Sequence, residues 1–427
     1  MQLPPPATFF KRSGHAWMAW AAVSGTVLAI VLYALAASYR EKLVEVGSAG
    51  STARGQTEFS LDRVRLHLLE GLTVVWLFFV GGSFGSFLNV VVYRLPRGLT
   101  LWGSSKCPSC GHPIRLRHNI PVLSWFFLDG RCYDCGVPIS ARYPLVEGVV
   151  GSFFIALAAA EWFSGGSSLP WRPVNVYRGI AWAVFDPQWD LVLIFTTHAA
   201  LLWILLAWAL MELDGCRVPR RFVVAAYVAA LLIGPLFPFV QPVPWWAGLV
   251  GGKAVGGGAL TTLAGMVIGW GVGGVLWALA DQRPLWRHAR IAGLAGAILG
   301  WQSVVSIALW STVTSLLAVG AVRWATPKAR SGRSSAAWEP EFFQVQLAGS
   351  PAGPAGQPHA DGWTRYRGLW LWAGVLLHLL TWRLQSGNGL WPGPDAGPVT
   401  ALVGTVLSLS ASAGIAWLYR RSCLDSA

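Results

Sequence analysis

Charged residues are scarce in this chain of 427 residues. Asp, Glu, Lys and Arg together make up 12% of the sequence, and hydrophobic residues make up 54%. A soluble domain carries about twice that charged fraction. Acids are the rarer sign, with 19 Asp and Glu against 32 Lys and Arg. The composition therefore excludes an ordinary soluble domain and indicates a protein that crosses a membrane several times.

Two features that would indicate other classes of protein are also missing. The sequence has no internal repeat, and it has no Gly-rich loop after a strand of the kind that cradles a nucleotide. The net charge of +13 does not indicate nucleic-acid binding, because the basic residues cluster in short loops between apolar segments. Such loops set the topology and contact anionic lipid headgroups. We therefore expect membrane lipids, and not nucleic acid, among the partners.

Long apolar segments make up most of the chain. A helix that spans the bilayer needs about 20 mostly apolar residues. The candidate spans are 16–37, 70–93, 143–163, 190–213, 222–241, 258–280, 291–322, 368–385 and 399–419. The segment 291–322 is long for one helix, and Gly300 and Gln302 near its middle predict two shorter or re-entrant helices. We expect an all-α polytopic membrane protein with about 8–10 transmembrane helices.

Four of the six cysteines form two pairs in the basic loop between the second and third spans. They are Cys107, Cys110, Cys132 and Cys135, and a Gly and a Pro follow each pair closely. Four thiolates at this C-x₂-C-x₂₁-C-x₂-C spacing suit a tetrahedral zinc ion. The loop is therefore predicted to be a small knuckle that a structural Zn²⁺ holds together.

Disulfides, or a knuckle that has lost its metal, are the alternatives to zinc. Between Arg94 and Arg142 the loop carries seven Lys and Arg against two acids. Positively charged loops stay on the cytoplasmic side, where thiols remain reduced. Counting spans from this loop places the basic loops at 217–221 and 283–290 on the same side, so the prediction is a multi-pass protein with these loops in the cytoplasm.

An ordered series of motifs around the cysteines resembles the amino-terminal domain of bacterial prepilin leader peptidases. The series consists of Gly82–Val90, Tyr93–Pro96, Cys107–Ile114, Asn119–Trp125, Gly130–Cys132 and Pro138–Glu147. The resemblance continues more weakly to about residue 322, and residues 1–65 and 324–427 lie outside it.

The resemblance implies an aspartic endopeptidase of the bacterial inner membrane. Members of the family cut the leader from type IV prepilins and type II secretion pseudopilins at the cytoplasmic face. Many also methylate the new amino terminus with S-adenosylmethionine, and this methyl transfer is associated with the amino-terminal domain. The implied partners are prepilin or pseudopilin leader segments.

The catalytic pattern of the family is altered in this chain. The family uses two membrane-embedded Asp residues, and two carboxyl groups that share a proton can activate water and protonate a carbonyl. Aligning the first motif on Pro219 places Glu212 at the first acidic position and Asp214 at the second. At the second motif, aligning on Gly296–Trp301 places His288 at the Asp position, and the chain has no Gly-x-Gly-Asp. The nearest acid is Asp281.

Three interpretations of the candidate catalytic residues remain open. In the first, Glu212 or Asp214 forms the catalytic pair with Asp281. In the second, Glu212 forms an acid–base pair with His288. In the third, the peptidase site is inactive. In the last case Glu212 and Asp214 reach headgroup water at a helix end and pair with Arg217 or Arg220. The chain is then a homologue that binds pilin-like signal segments without cutting them.

Other residues of the resembling segment also allow two interpretations. Glu147, at the entry of the span 143–163, either binds a cationic substrate amine or caps the helix of that span. The small residues from Gly82 to Ser86 serve either a ligand or close helix packing. An unrelated zinc-stapled scaffold or transporter is disfavoured, since no span shows the buried charge pairs that a transporter needs.

The predicted organisation has five parts. They are an extension with one membrane anchor (1–69), an amino-terminal methylation-type domain (70–163) with the knuckle at 94–142, a peptidase-like membrane core (190–322), a flexible linker (324–366) and a two-helix appendix (367–427).

Overall fold

The computed structural model describes residues 24–37, 61–170, 172, 180–241, 255–280, 286–325, 367–386 and 410. Within these residues the protein is helical and has no β-strand. Two isolated β-bridges, Lys106 with Pro113 and Arg131 with Pro138, lie in the loop that carries the four cysteines. The predicted all-α class is confirmed.

Eleven helices are described. In chain order they are α1 (Ser24–Ala37), α2 (Leu61–Arg94), α3 (Leu123–Phe127), α4 (Arg142–Leu157), α5 (Ile180–Phe185), α6 (Trp189–Leu213), α7 (Arg220–Leu236), α8 (Val255–Ala280), α9 (Trp286–Leu299), α10 (Trp301–Ala325) and α11 (Arg367–Ser386). A π-helical turn, Ala158–Phe163, extends α4.

Three helices in the described part of the chain are long and apolar enough to cross a membrane. They are α2, α4 with its π-helical turn, and α6. Four further predicted spans coincide with α7, α8, the pair α9–α10, and α11. Only 24–37 of the first predicted span is described, as α1, and the last one, 399–419, lies almost entirely outside the described residues. The membrane character of the fold is confirmed.

The predicted break in the segment 291–322 is confirmed at Gly300. Helix α9 ends at Leu299 and α10 begins at Trp301. Gly300 has a φ of +86°, in the left-handed region that side chains disfavour. The glycine therefore allows the chain to turn between two packed helices.

Small residues allow α2 and α4 to pack closely. A Cβ built on Gly85 would lie 2.7 Å from the Cα of Glu147, and one built on Gly81 would lie 2.9 Å from the Cα of Gly151. Glycine removes this clash and lets the two backbones approach. Within the 82–86 segment, Gly85 thus serves helix packing, as one of the two interpretations held.

Helix α11 lies along α6 over most of its length. The Trp372 indole donates to the carbonyl of Leu202 at 3.0 Å. Near the start of α11, a Cβ built on Gly368 would lie 3.0 Å from Ala209. Near its end, the Arg383 N–H donates to the carbonyl of Ser168 at 2.9 Å. The first helix of the predicted appendix is therefore part of the bundle.

Candidate metal centre and candidate active site

The two cysteine pairs adopt the same local structure. In the first pair, the Cys107 N–H donates to the His112 carbonyl at 3.0 Å and the Gly111 N–H donates to the Cys107 carbonyl at 2.9 Å. The second pair repeats both bonds at Cys132, with lengths of 2.8 and 2.9 Å. Gly111 has a φ of +73° and Gly136 has a φ of +72°. Each glycine supplies the left-handed turn that folds its pair of thiols inward.

These two turns bring all four sulfur atoms together. The Sγ atoms of Cys107, Cys110, Cys132 and Cys135 lie within 4.8 Å of one another. The Cys107 and Cys135 sulfurs are 3.8 Å apart. Four ligands at the usual Zn–S length of about 2.3 Å, in a tetrahedron, would have their sulfurs about 3.8 Å apart.

The geometry distinguishes a metal site from a pair of disulfides. A disulfide would place two sulfurs about 2.05 Å apart, and all four cysteines are free thiols. The thiols can hold a metal ion, and both the ligand type and the spacing fit zinc. The metal would fix the fold of a loop that has almost no regular secondary structure of its own.

Backbone hydrogen bonds lower the pKa of one of these thiols. Burial alone would raise the pKa of the Cys107 thiol, but N–H groups of Cys110 and Ser109 lower that pKa to about 7. Burial raises the pKa of Cys132. Because metal binding requires thiolates, a lowered pKa favours Cys107 as a ligand.

Glu147 anchors the second half of the loop to α4. Its Oε2 accepts the Val122 N–H at 2.7 Å. Val122, with a φ of +64°, is the residue before α3. The carboxylate thus bonds the backbone at the start of α3, whereas the capping interpretation placed the cap on α4 itself.

Asp214 lies directly after α6 and forms a two-pronged ion pair with Arg142. One guanidinium nitrogen bonds Asp214 Oδ1, and the other donates to Oδ2 at 3.0 Å. The Arg142 side chain is 7% exposed and that of Asp214 is 25% exposed. The expectation that Asp214 pairs with Arg217 or Arg220 is wrong, because Arg142 at the start of α4 is the nearer cation.

Glu212 lies in the last turn of α6, close to α11. Its Oε1 accepts the Trp208 indole N–H at 3.0 Å. A Cβ built on Gly368 would lie 3.4 Å from its Oε2. His288 is in the first turn of α9, and Asp281 lies outside the described residues. The pairing of Glu212 or Asp214 with either of them stays a prediction.

The sequence interpretation missed an ionisable pair inside the bundle. Glu161, in the π-helical turn, bonds His198 of α6 through Oε1 and Nδ1 at 2.8 Å, and both side chains are fully buried. Near the start of α2, Glu70 bonds His67 at 2.9 Å. The statement that no span carries such pairs is therefore wrong. The signal was present as a Glu and a His inside apolar segments, which the bilayer tolerates only with partners.

Comparison with known proteins points to the same part of the chain. Residues 79–161 match the family model described as Bacterial Peptidase A24 N-terminal domain. No solved structure gives a significant match.

Several curated proteins are similar to this chain. A protein named "Prepilin leader peptidase/N-methyltransferase" from Aeromonas hydrophila is 28% identical over 291 residues, covering 60% of this chain and 85% of the relative. A protein of the same name from Myxococcus xanthus is 51% identical over 86 residues, covering 20% of this chain and 26% of the relative. A "Type 4 prepilin-like proteins leader peptide-processing enzyme" from Escherichia coli is 37% identical over 151 residues, covering 30% of this chain and 55% of the relative. The matched segment includes the four clustered thiols and the close α2–α4 contact at Gly81 and Gly85, and in it the chain is similar to bacterial prepilin leader peptidases.

Proposed function

We propose that this protein acts on pilin-like precursors in the bacterial inner membrane, with its cysteine module and the end of α6 on the cytoplasmic side. The names of the relatives support this substrate class. The agreement among the basic loops supports the orientation. In this proposal the module, held by zinc, recognises the leader segment next to the membrane.

Two forms of this function are possible: cleavage of the leader, and binding without cleavage. The ion pair between Arg142 and Asp214 favours the second form. Both carboxylate oxygens of Asp214 already bond the Arg142 guanidinium, so Asp214 is poorly placed to pair with a second carboxyl group. Cleavage would then depend on Glu212 with His288 or Asp281.

Co-expression with a prepilin-like substrate separates the two forms. We expect the full-length precursor to co-purify with the protein, and its mass to be unchanged in mass spectrometry. Cys107→Ser should abolish the capture, and Cys423→Ser, which removes a cysteine outside the cluster, should not. A shortened precursor whose formation stops in Glu212→Gln would instead establish an active peptidase.

Methyl transfer can be tested in the same material. The names of the relatives include N-methyltransferase, and we propose S-adenosylmethionine as the methyl donor. Incubation of the purified protein with labelled S-adenosylmethionine and a peptide that begins at the mature amino terminus would reveal this activity as a mass increase of one methyl group.

A further inference from the structure

Two apolar side chains of the cysteine module are almost fully exposed. Trp102 is 87% exposed and Leu116 is 90% exposed. They flank the first cysteine turn, whose ends are joined by a 2.8 Å bond from the Ile114 N–H to the Ser105 carbonyl. Trp102 precedes Ser105 closely and Leu116 follows Ile114 closely, so both residues are near in sequence to the end of the turn that this bond closes.

This end of the turn lies beside the membrane-spanning helices. Leu101 packs against the hydrophobic core of the bundle. Arg94, the last residue of α2, donates to the carbonyls of Thr100 and Ser104, each at 3.3 Å. Trp102 lies between these fixed points, so its backbone is held close to the end of α2.

The surface around the two apolar side chains is positively charged. The exposed cations of the module are Arg97, Lys106, Arg115, Arg117 and Arg131. Its exposed acid, Asp134, already bonds Arg115 at 3.3 Å. Arg115 and Arg117 both lie over the ring of Tyr133, at 4.6 and 6.0 Å from its centroid. These contacts keep their charges close to Leu116.

We propose that the module docks on the anionic headgroups of the adjoining leaflet, with Trp102 and Leu116 inserted between the lipids. Both ends of the module continue into helices that run through the bilayer, so the lipid surface is always within reach. Exposed apolar side chains set among cations match the chemistry of such a surface. The alternative occupant is an acidic protein. The tether to the membrane at both ends favours the lipid, and the proposal is independent of the proposed function.

The test uses the full-length protein in nanodiscs of phosphatidylcholine, with or without phosphatidylglycerol. Hydrogen exchange should be slower at residues 114–118 when phosphatidylglycerol is present, and molar salt should remove the difference. Arg117→Gln should reduce the slowing of hydrogen exchange by phosphatidylglycerol roughly five-fold, because one cation at an anionic surface contributes about 1 kcal/mol. The matched control is Arg65→Gln, because Arg65 is an exposed arginine at the opposite end of α2.

Crosslinking distinguishes the possible occupants. A photoreactive benzoylphenylalanine that replaces Leu116 should form adducts with lipid, and adduct formation should increase with phosphatidylglycerol. Adducts with a protein, or exchange rates that do not respond to phosphatidylglycerol, would overturn the proposal. Leu116→Ser should remove the slowing of hydrogen exchange by phosphatidylglycerol and leave the metal content unchanged. The unchanged metal content would show that docking was lost while the module stayed folded.

Discussion

The ion pair between Asp214 and Arg142 permits a quantitative test of the described site. Asp214→Asn removes the negative charge and leaves a guanidinium that is only 7% exposed. Removing one partner of a fully buried pair costs about 3–5 kcal/mol. Because Asp214 is 25% exposed, water screens part of the interaction. We expect the free energy of unfolding to fall by about 2–3 kcal/mol.

Removing the cationic partner of the pair should lower the free energy of unfolding by less. Arg142→Gln leaves a carboxylate that can reach water, whereas Asp214→Asn leaves a cation that cannot. Replacing both residues by leucine should recover much of the loss. The assay is equilibrium unfolding in mixed micelles with increasing dodecyl sulfate. The reasoning is refuted if Asp214→Asn is as harmless as Asp62→Asn, which breaks the exposed Asp62–Arg65 pair.

Three further substitutions test other parts of the molecule. Cys107→Ser should reduce bound zinc from one ion per chain to a small fraction, measured by elemental analysis, because three thiolates hold the ion less well. Glu161→Leu should lower the free energy of unfolding by about 1–3 kcal/mol, since it leaves the buried Nδ1 of His198 without its hydrogen-bond partner, and the double substitution with His198→Leu should cost less than the sum of the two single substitutions. Gly300→Ala should cost about 1–2 kcal/mol in the same assay, because a φ of +86° strains a side chain.

Each of these expectations has a control of the same chemical type. Cys423→Ser should leave the zinc content unchanged. Gly271→Ala should leave the stability unchanged or raise it, since Gly271 lies inside α8 and a Cβ built there meets nothing within 4 Å. Zinc retained by Cys107→Ser would contradict the account of the metal site. Strict additivity of Glu161→Leu and His198→Leu would contradict the account of the buried pair. Equal costs for Gly300→Ala and Gly271→Ala would contradict the account of the break at Gly300.

The features that sequence predicted well are local ones. The spacing of Cys107 and Cys110, with Gly111 after them, specifies a turn in which both thiols point inward, and the second pair repeats it. Gly300 inside a long apolar segment likewise marks a break that depends only on neighbouring residues. In both cases the backbone conformation of a few residues determines the structure, and the residue types reveal that conformation directly.

The features that sequence did not predict join distant parts of the chain. Arg142 and Asp214 are 72 residues apart, and Glu161 and His198 are 37 residues apart. An apolar segment indicates that a helix spans the bilayer, but its composition gives little indication of which face meets which neighbour. The partners of a polar residue inside such a helix therefore depend on helix rotation and order, which the three-dimensional structure supplies.

The position of α11 has a practical consequence for altered forms of the protein. This helix comes from the part of the chain beyond residue 322, where the resemblance to the family ends, yet Trp372 bonds the middle of α6 and Gly368 lies against Ala209. If the chain were shortened before Arg367, lipid tails would have to fill the surface left bare on α6, right up to Glu212. Affinity tags and reporter fusions should therefore leave α11 uninterrupted.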